Sequence, residues 1–220
     1  MAATWSQGDG SATDRAWLAD WRRQVAALYA EVRRLDATDT VAAWTHWRAA
    51  RERLYREHPQ SPVPAGARAG FRGLHFEHDP GLRFQLIVEP APPPAPGAFA
   101  LELPNSGEDT LSFSRVGRVT VPFEDGPRSL SVFWMGGYAG GLFLPFRDAT
   151  NGHQTYGAGR YLVDGAKSAD LGGNPATNEL ILDFNFAFQP SCAFDPRWAC
   201  PLAPPENRLD RPIRAGERIA

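Results

Sequence analysis

The chain has 220 residues, a formal charge of −2, 43% hydrophobic residues and 11% aromatics. That composition excludes intrinsic disorder, and a chain of this size hides roughly 70% of its unfolded surface on folding. No run approaches the roughly 18 apolar residues of a membrane span, and the near-neutral balance excludes the basic stripe of a nucleic-acid binder.

Residues 1–12 have no basic patch followed by an apolar stretch, so they read as a disordered lead rather than a secretory signal. The cytoplasm is then the expected compartment, and residues 13–220 read as one domain. Arginine outnumbers lysine 22 to one, the single lysine being Lys167. Arginine suits carboxylate and phosphate recognition, but genome-wide codon usage is the preferred reading of the skew.

Trp17, Leu18, Trp21, Val25, Leu28, Tyr29, Val32 and Leu35 recur at intervals of one, three and four, which predicts a helix over 13–35. Thr13 or Asp14 can cap it, and Asp36-Ala37-Thr38-Asp39 breaks it. Val41, Trp44, Trp47, Leu54 and Tyr55 carry a second helix. It ends near His58, because Pro59 disfavours helix at the residue before it. The short break predicts an antiparallel helical hairpin over 13–58. Its aromatic side chains read as core rather than as a platform for stacking bases.

After Ser61-Pro62-Val63-Pro64 the period shortens. Residues 74–77 and 82–88 read as strands about a turn at His78-Asp79-Pro80-Gly81. The proline-rich run 90–97 is a polyproline-like spacer, read as a long loop inside the domain. Further strands are predicted at 99–103, 111–115, 118–123, 129–135, 142–148, 155–163 and 179–188. Turn signals separate them at Asn105-Ser106-Gly107, Asp125-Gly126, 136–141, Asn151-Gly152 and Gly172-Gly173-Asn174. Many short strands with regular turns predict an α+β fold: an N-terminal helical hairpin packed on a mainly antiparallel β-barrel or sandwich over 70–190. The proline-rich tail, 191–220, is expected to wrap the outside.

Three segments are distinctive: Phe146-Arg147-Asp148-Ala149-Thr150-Asn151-Gly152-His153-Gln154-Thr155-Tyr156-Gly157-Ala158-Gly159-Arg160-Tyr161-Leu162; Asp183-Phe184-Asn185-Phe186-Ala187-Phe188-Gln189-Pro190-Ser191-Cys192-Ala193-Phe194; and Cys200-Pro201-Leu202-Ala203-Pro204-Pro205-Glu206-Asn207-Arg208-Leu209 with the closing Ile213-Arg214-Ala215-Gly216-Glu217. Together they resemble a family of bacterial and archaeal proteins catalogued only as a domain of unknown function, over nearly the whole chain. Phe188-Gln189 stands where that pattern has a Tyr-Asn-like pair. The resemblance brings no activity, substrate or cofactor with it.

Asn-Gly is the preferred centre of a type I′ turn, because both positions need positive φ. Centred on Asn151-Gly152, antiparallel pairing sets Arg147 opposite Tyr156, Phe146 opposite Gly157, Leu144 opposite Gly159 and Phe143 opposite Arg160. Opposed residues share a face, so Phe143, Arg147, Tyr156 and Arg160 are expected together. Two guanidinium groups and a phenol would then form an anion cradle. The alternative is structural: both arginines pair with carboxylates such as Asp183. Gly157 and Gly159 read as packing positions under Leu144 and Phe146.

Alternation along 179–188 points Leu180, Leu182, Phe184, Phe186 and Phe188 one way and Ile181, Asp183, Asn185 and Ala187 the other. Asp183 and Asn185 would orient a ligand. Asp148 or Asp183 would serve as general base in an enzyme, and Cys192 as nucleophile, with His153 the nearest histidine in the motifs. A structural thiol, or a disulfide to Cys200, is the competing reading. The Cys192–Cys200 spacing is not that of a zinc site. His75 and His78 do not share a strand face as a metal pair would. The glycine-rich 136–141 precedes a strand and lacks the helix N-terminus of a phosphate loop. No metal site and no cofactor is read from the chain.

Three function classes follow: a module binding a small anionic molecule in a pocket framed by 146–161 and 183–192; a hydrolase- or lyase-like enzyme using Asp148, Asp183 or Cys192; and a structural or interaction protein presenting the helical hairpin.

Overall fold

The computed structural model describes residues 10–92, 112–136 and 140–219, with the backbone alone of 101–102. Most of the proline-rich spacer, the Asn105-Ser106-Gly107 signal, most of the 1–12 lead and part of the 136–141 turn lie outside the described residues.

Both helices form as the periodicity predicts, and each has its own cap. Helix α1 spans Ala12–Asp36, and its cap is Ser11, two residues before Thr13 and three before Asp14: the Ser11 hydroxyl accepts from the Asp14 N–H at 3.1 Å. Arg33 and Arg34 sit in its last turn, where cations suit the helix dipole. Helix α2 spans Thr40–Glu57, capped by the Asp39 carboxylate accepting from Ala42 N–H at 2.9 Å. It stops at His58, before Pro59. The helices run antiparallel: Trp47 Nε1 donates to Tyr29 Oη at 3.1 Å, and His58 Nε2 lies 3.2 Å from Asp20 Oδ2.

The strands are β1 (Arg83–Ile87), β2 (Glu89–Pro90), β3 (Leu101–Glu102), β4 (Ser112–Phe123), β5 (Gly126–Met135), β6 (Gly141–Phe146), β7 (Arg160–Asp164), β8 (Gly173–Asn174) and β9 (Glu179–Asp183). They make two antiparallel sheets. One has the order β1-β9-β8; in the other, β2 and β3 both pair with one edge of β4, followed by β5, β6 and β7. The sheets stack as in a sandwich, and among the described residues no strand ladder closes them into a barrel.

Several expected strands take other forms. Residues 74–77 supply only a bridge from His75 to Glu217. The strands at 111–115 and 118–123 are one, β4, with Val116 the extra residue of a bulge between Arg115 and Gly117. The bulge sits beside a close approach: a Cβ on Gly117 would lie 2.5 Å from the Glu89 carbonyl oxygen. Strand 179–188 ends early at Asp183, whose carboxylate caps a 3₁₀ turn over Phe184–Phe186. The five-residue apolar row is therefore split. Phe184 enters the core between the sheets, whereas Phe186 and Phe188 turn to the helices.

The two apolar cores follow from this layering. One joins α1 and α2 to the outer face of the larger sheet through Trp47, Phe113, Phe133, Phe143 and Tyr161. The other lies between the sheets and holds Val119, Val121, Leu130, Leu144, Phe146, Leu182 and Phe184. Each fully buried side chain of this size contributes about 1.5–3 kcal/mol. The tail does not wrap the outside. Leu209, Ile213 and Ala215 are buried in the second core, and Asn207 is fully buried, pairing with Ser131 N and O and Pro145 O. A segment rich in proline has few N–H groups for a ladder. This one is held instead by the Arg147 and Leu209 amides, which donate to Asn207 and Arg147 carbonyls at 2.9 and 2.8 Å.

Candidate functional site

An apolar groove of about 500 Å³ lies between the two sheets. Val88, Pro90, Val116 and Leu142 form the wall from the larger sheet and its approach. Leu180, Pro175, Gly172 and Gly173 form the other. Val88, Val116, Leu142 and Leu180 are only partly buried at the margin of the inner core. Local geometry builds each wall. The bulge frees Val116 from strict pairing, and Ala91 N–H donates to its carbonyl at 3.0 Å. The β8–β9 turn closes with Asn178 at φ 56°, and its carbonyl accepts from Val88 N–H at 2.8 Å. Gly173 must be glycine for β8 to lie this near β9: a Cβ would sit 1.9 Å from the Glu179 carbonyl oxygen. Glu179 carries the one charged side chain among the described lining residues. A second groove, about 570 Å³, runs along α2 and is lined by charges of both signs, among them Arg48, Glu52, Arg53 and His75.

The anion cradle does not assemble, because the chain reverses differently. Phe146 pairs with Arg160 and Pro145 with Tyr161, so the whole of 147–159 is loop. The Asn151 side chain overrides the type I′ turn: it accepts from Asp148 N–H at 2.6 Å and donates to Thr155 Oγ1 and Tyr156 O, both at 2.9 Å. Gly152 keeps its positive φ, 81°, inside that loop. Gly159, at φ 105°, is approached by the Phe146 carbonyl rather than covered by Leu144, and Gly157 meets nothing nearer than Gly152 Cα at 3.9 Å.

The register sends the two arginines apart. Arg160 is fully buried over the Phe146 ring, 5.2 Å from its centroid. Its guanidinium donates to Asp148 Oδ2 at 2.9 Å, to Ile213 O at 2.8 Å, to Glu217 O at 3.1 Å and to Ala215 O. Burial lowers its pKa, and Asp148 opposes that shift. Asp148 is engaged as well: its Oδ1 accepts from Thr150 N and Ile213 N. Arg147, half-buried, donates to Gly157 O at 2.6 Å. The Tyr156 phenol is bonded to the Cys192 thiol instead of facing an arginine, and burial with that bond raises it to about 12.

Asp183 and Asn185 form a buried bracket. Asn185 reads the backbone of Asp79 as a second strand would, accepting from its N–H at 2.8 Å and donating to its carbonyl at 2.7 Å. Asp183 Oδ1 accepts from Asn185 N and Nδ2, while Oδ2 lies 4.0 Å from Arg83 Nε without a hydrogen bond. Burial lifts the Asp183 carboxyl to about 6. It lines neither groove. Cys192 is a buried thiol whose N–H donates to Cys200 Sγ at 3.4 Å, and neither cysteine is in a disulfide. The thiol–thiol hydrogen bond and burial push Cys200 far up. His153 is exposed.

Sequence reasoning missed Arg51. It donates to Glu217 Oε1 at 2.7 Å and to Tyr55 Oη at 2.6 Å, between the rings of Trp47, Tyr55 and Phe188. Glu217 Oε2 in turn accepts from Gln189 N–H at 2.7 Å. The signal was present: Arg51 lies four residues from both Trp47 and Tyr55, inside the apolar stripe.

Among the described residues no group of three or more His, Cys, Asp or Glu is placed to hold a metal, and no helix is long and apolar enough to cross a membrane. The model of a family described as "Protein of unknown function (DUF1684)" matches residues 69–218. The solution NMR structure of an uncharacterized protein of Haloarcula marismortui is similar at 33% identity, with a TM-score of 0.60, covering 84% of this chain and 96% of that one. No curated protein matches the chain.

Proposed function

We propose that this chain, which belongs to the DUF1684 family of proteins of unknown function, is a small-molecule-binding module whose site is the groove between its two sheets. The groove's volume, about 500 Å³, lies in the range of small-molecule sites, which are concave and mostly apolar. That volume, lined by Val88, Val116, Leu142 and Leu180, carries the reading. The charge of the lining separates it from the anion pocket read in the sequence: Glu179 repels a carboxylate or phosphate, so the ligand is a neutral or cationic molecule with an apolar body. Arg147, Tyr156, Arg160 and Asn185 serve the chain's own backbone and thiols, and the binding role passes to β4, β6 and the β8–β9 hairpin.

The test is a titration of the protein with a neutral arylamine fluorophore, displaced in turn by a long-chain alkyl amine and by the fatty acid of equal length. Saturable binding with preferential displacement by the amine is expected. Leu142→Asp should weaken the fluorophore about tenfold, since losing one buried leucine contact removes about 1–2 kcal/mol. Binding that never saturates, or that ignores Leu142→Asp, would sink the assignment.

A further inference from the structure

We propose that Cys192 and Cys200 are a thiol–disulfide exchange site, which a small-molecule disulfide converts to an intramolecular bridge. The two residues stand at the ends of a surface loop in which Pro196 and Arg197 are exposed, although both thiols are themselves buried. The Cys192 N–H reaches Cys200 Sγ at 3.4 Å, and the two thiols share a hydrogen bond. Sulfurs already in contact need little backbone movement to bond. Tyr156 is hydrogen-bonded to the Cys192 thiol, and Lys167, held 2.8 Å from Asp164, lends its positive charge to Cys200. Opening of the loop, a local event, admits the reagent.

The exchange balances in two steps. Cys192, deprotonated, attacks one sulfur of the small disulfide; that sulfur–sulfur bond breaks, and the departing thiolate takes up the proton that Cys192 lost. With Cys192 now in the mixed disulfide and the loop open, the hydrogen bond and burial that hold the Cys200 proton are relieved; Cys200, deprotonated, attacks Cys192 Sγ and expels the second small thiolate, which takes the Cys200 proton. Two protein thiols are oxidised by two electrons, and one small disulfide is reduced to two thiols. The bridge pins the loop whose Phe194 packs on Tyr55 and Phe71, at 5.2 and 5.8 Å between centroids. Oxidation therefore tightens the seat of the helical hairpin.

Full-length protein is incubated with oxidised glutathione, denatured, alkylated and weighed intact. Reduced protein should take two alkyl groups. Treated protein should take none, retain no glutathione and weigh two hydrogens less, with an unfolding midpoint higher by about 5 °C. Cys200→Ser should stop after the first step, keeping one glutathione on Cys192 and showing no rise in the midpoint. Wild-type protein that still takes two alkyl groups, keeps glutathione, or links into disulfide dimers overturns the proposal, whatever the variant does.

Discussion

Two regions set polar groups beside apolar surfaces, and they differ in what each leaves unsatisfied. Around Arg160 both terminal nitrogens are bonded, to Asp148 and to three carbonyls of 213–217, and the residue has no exposed surface. In the groove between the sheets the walls are apolar, partly uncovered and crossed by one carboxylate. A buried ion pair whose two terminal nitrogens are bonded, with only Nε left without a partner and no exposed surface, gives a ligand no access, whereas uncovered apolar surface retains the drive to be covered. Charge density alone is a poor guide to a binding site here.

The widest test of that contrast is Arg160→Met against Arg147→Ala. Removing Arg160 strands Asp148 and three carbonyls, and should cost about 3–5 kcal/mol or abolish folding. Removing Arg147 loses one bond to Gly157 O and should cost about 1 kcal/mol. Equal urea midpoints for the two variants would erase the distinction between a sealed arginine and a half-buried one.

The buried bracket gives the next effect. Asp183 titrates at about 6 in the folded protein against an ordinary 3.8. The folded state thus holds that proton more tightly than the unfolded one. Its stabilising contribution is full below about pH 4 and is lost as pH rises through about 6, a change of about 3 kcal/mol. Asp183→Asn, which keeps an acceptor for Asn185, should gain on wild type across that window. Denaturation curves whose difference stays flat from acid to neutral pH would remove the effect.

The smallest contrast concerns glycines. Gly173→Ala drives a Cβ into the Glu179 carbonyl and should cost about 2 kcal/mol while parting the groove wall. Gly157→Ala, with nothing nearer than 3.9 Å, should stay within about 0.5 kcal/mol. Faster amide exchange at Ile181, whose N–H donates to Gly172 O at 3.0 Å, should accompany only the first.

The helical hairpin was legible because periodicity, the Asp36–Asp39 break and Pro59 act within a few residues. The β4–β5 hairpin was legible for the same reason: Phe123 pairs with Gly126 beside the Asp125-Gly126 signal. The 146–161 segment misled because Asn151 has two competing uses. Its side chain gains three hydrogen bonds by holding a loop, and a turn rule based on φ alone does not weigh them. The tail misled because proline and charge suggest a surface, while Leu209, Ile213 and Ala215 are sparse enough to hide no periodic pattern yet suffice to fill a core. The groove was invisible for a different reason: its walls come from residues 88, 116, 142 and 180, which only the three-dimensional arrangement of the sheets brings together.

The placement of residues 213–217 has a consequence for how the protein is made. During translation, Arg51 and Arg160 leave the ribosome long before the glutamate and carbonyls that neutralise and cradle them. Until residue 217 has been synthesised, Arg51 lacks its carboxylate and Arg160, although already able to pair with Asp148, lacks its carbonyl acceptors. Final packing of both layers around these two side chains therefore waits on residues 213–217.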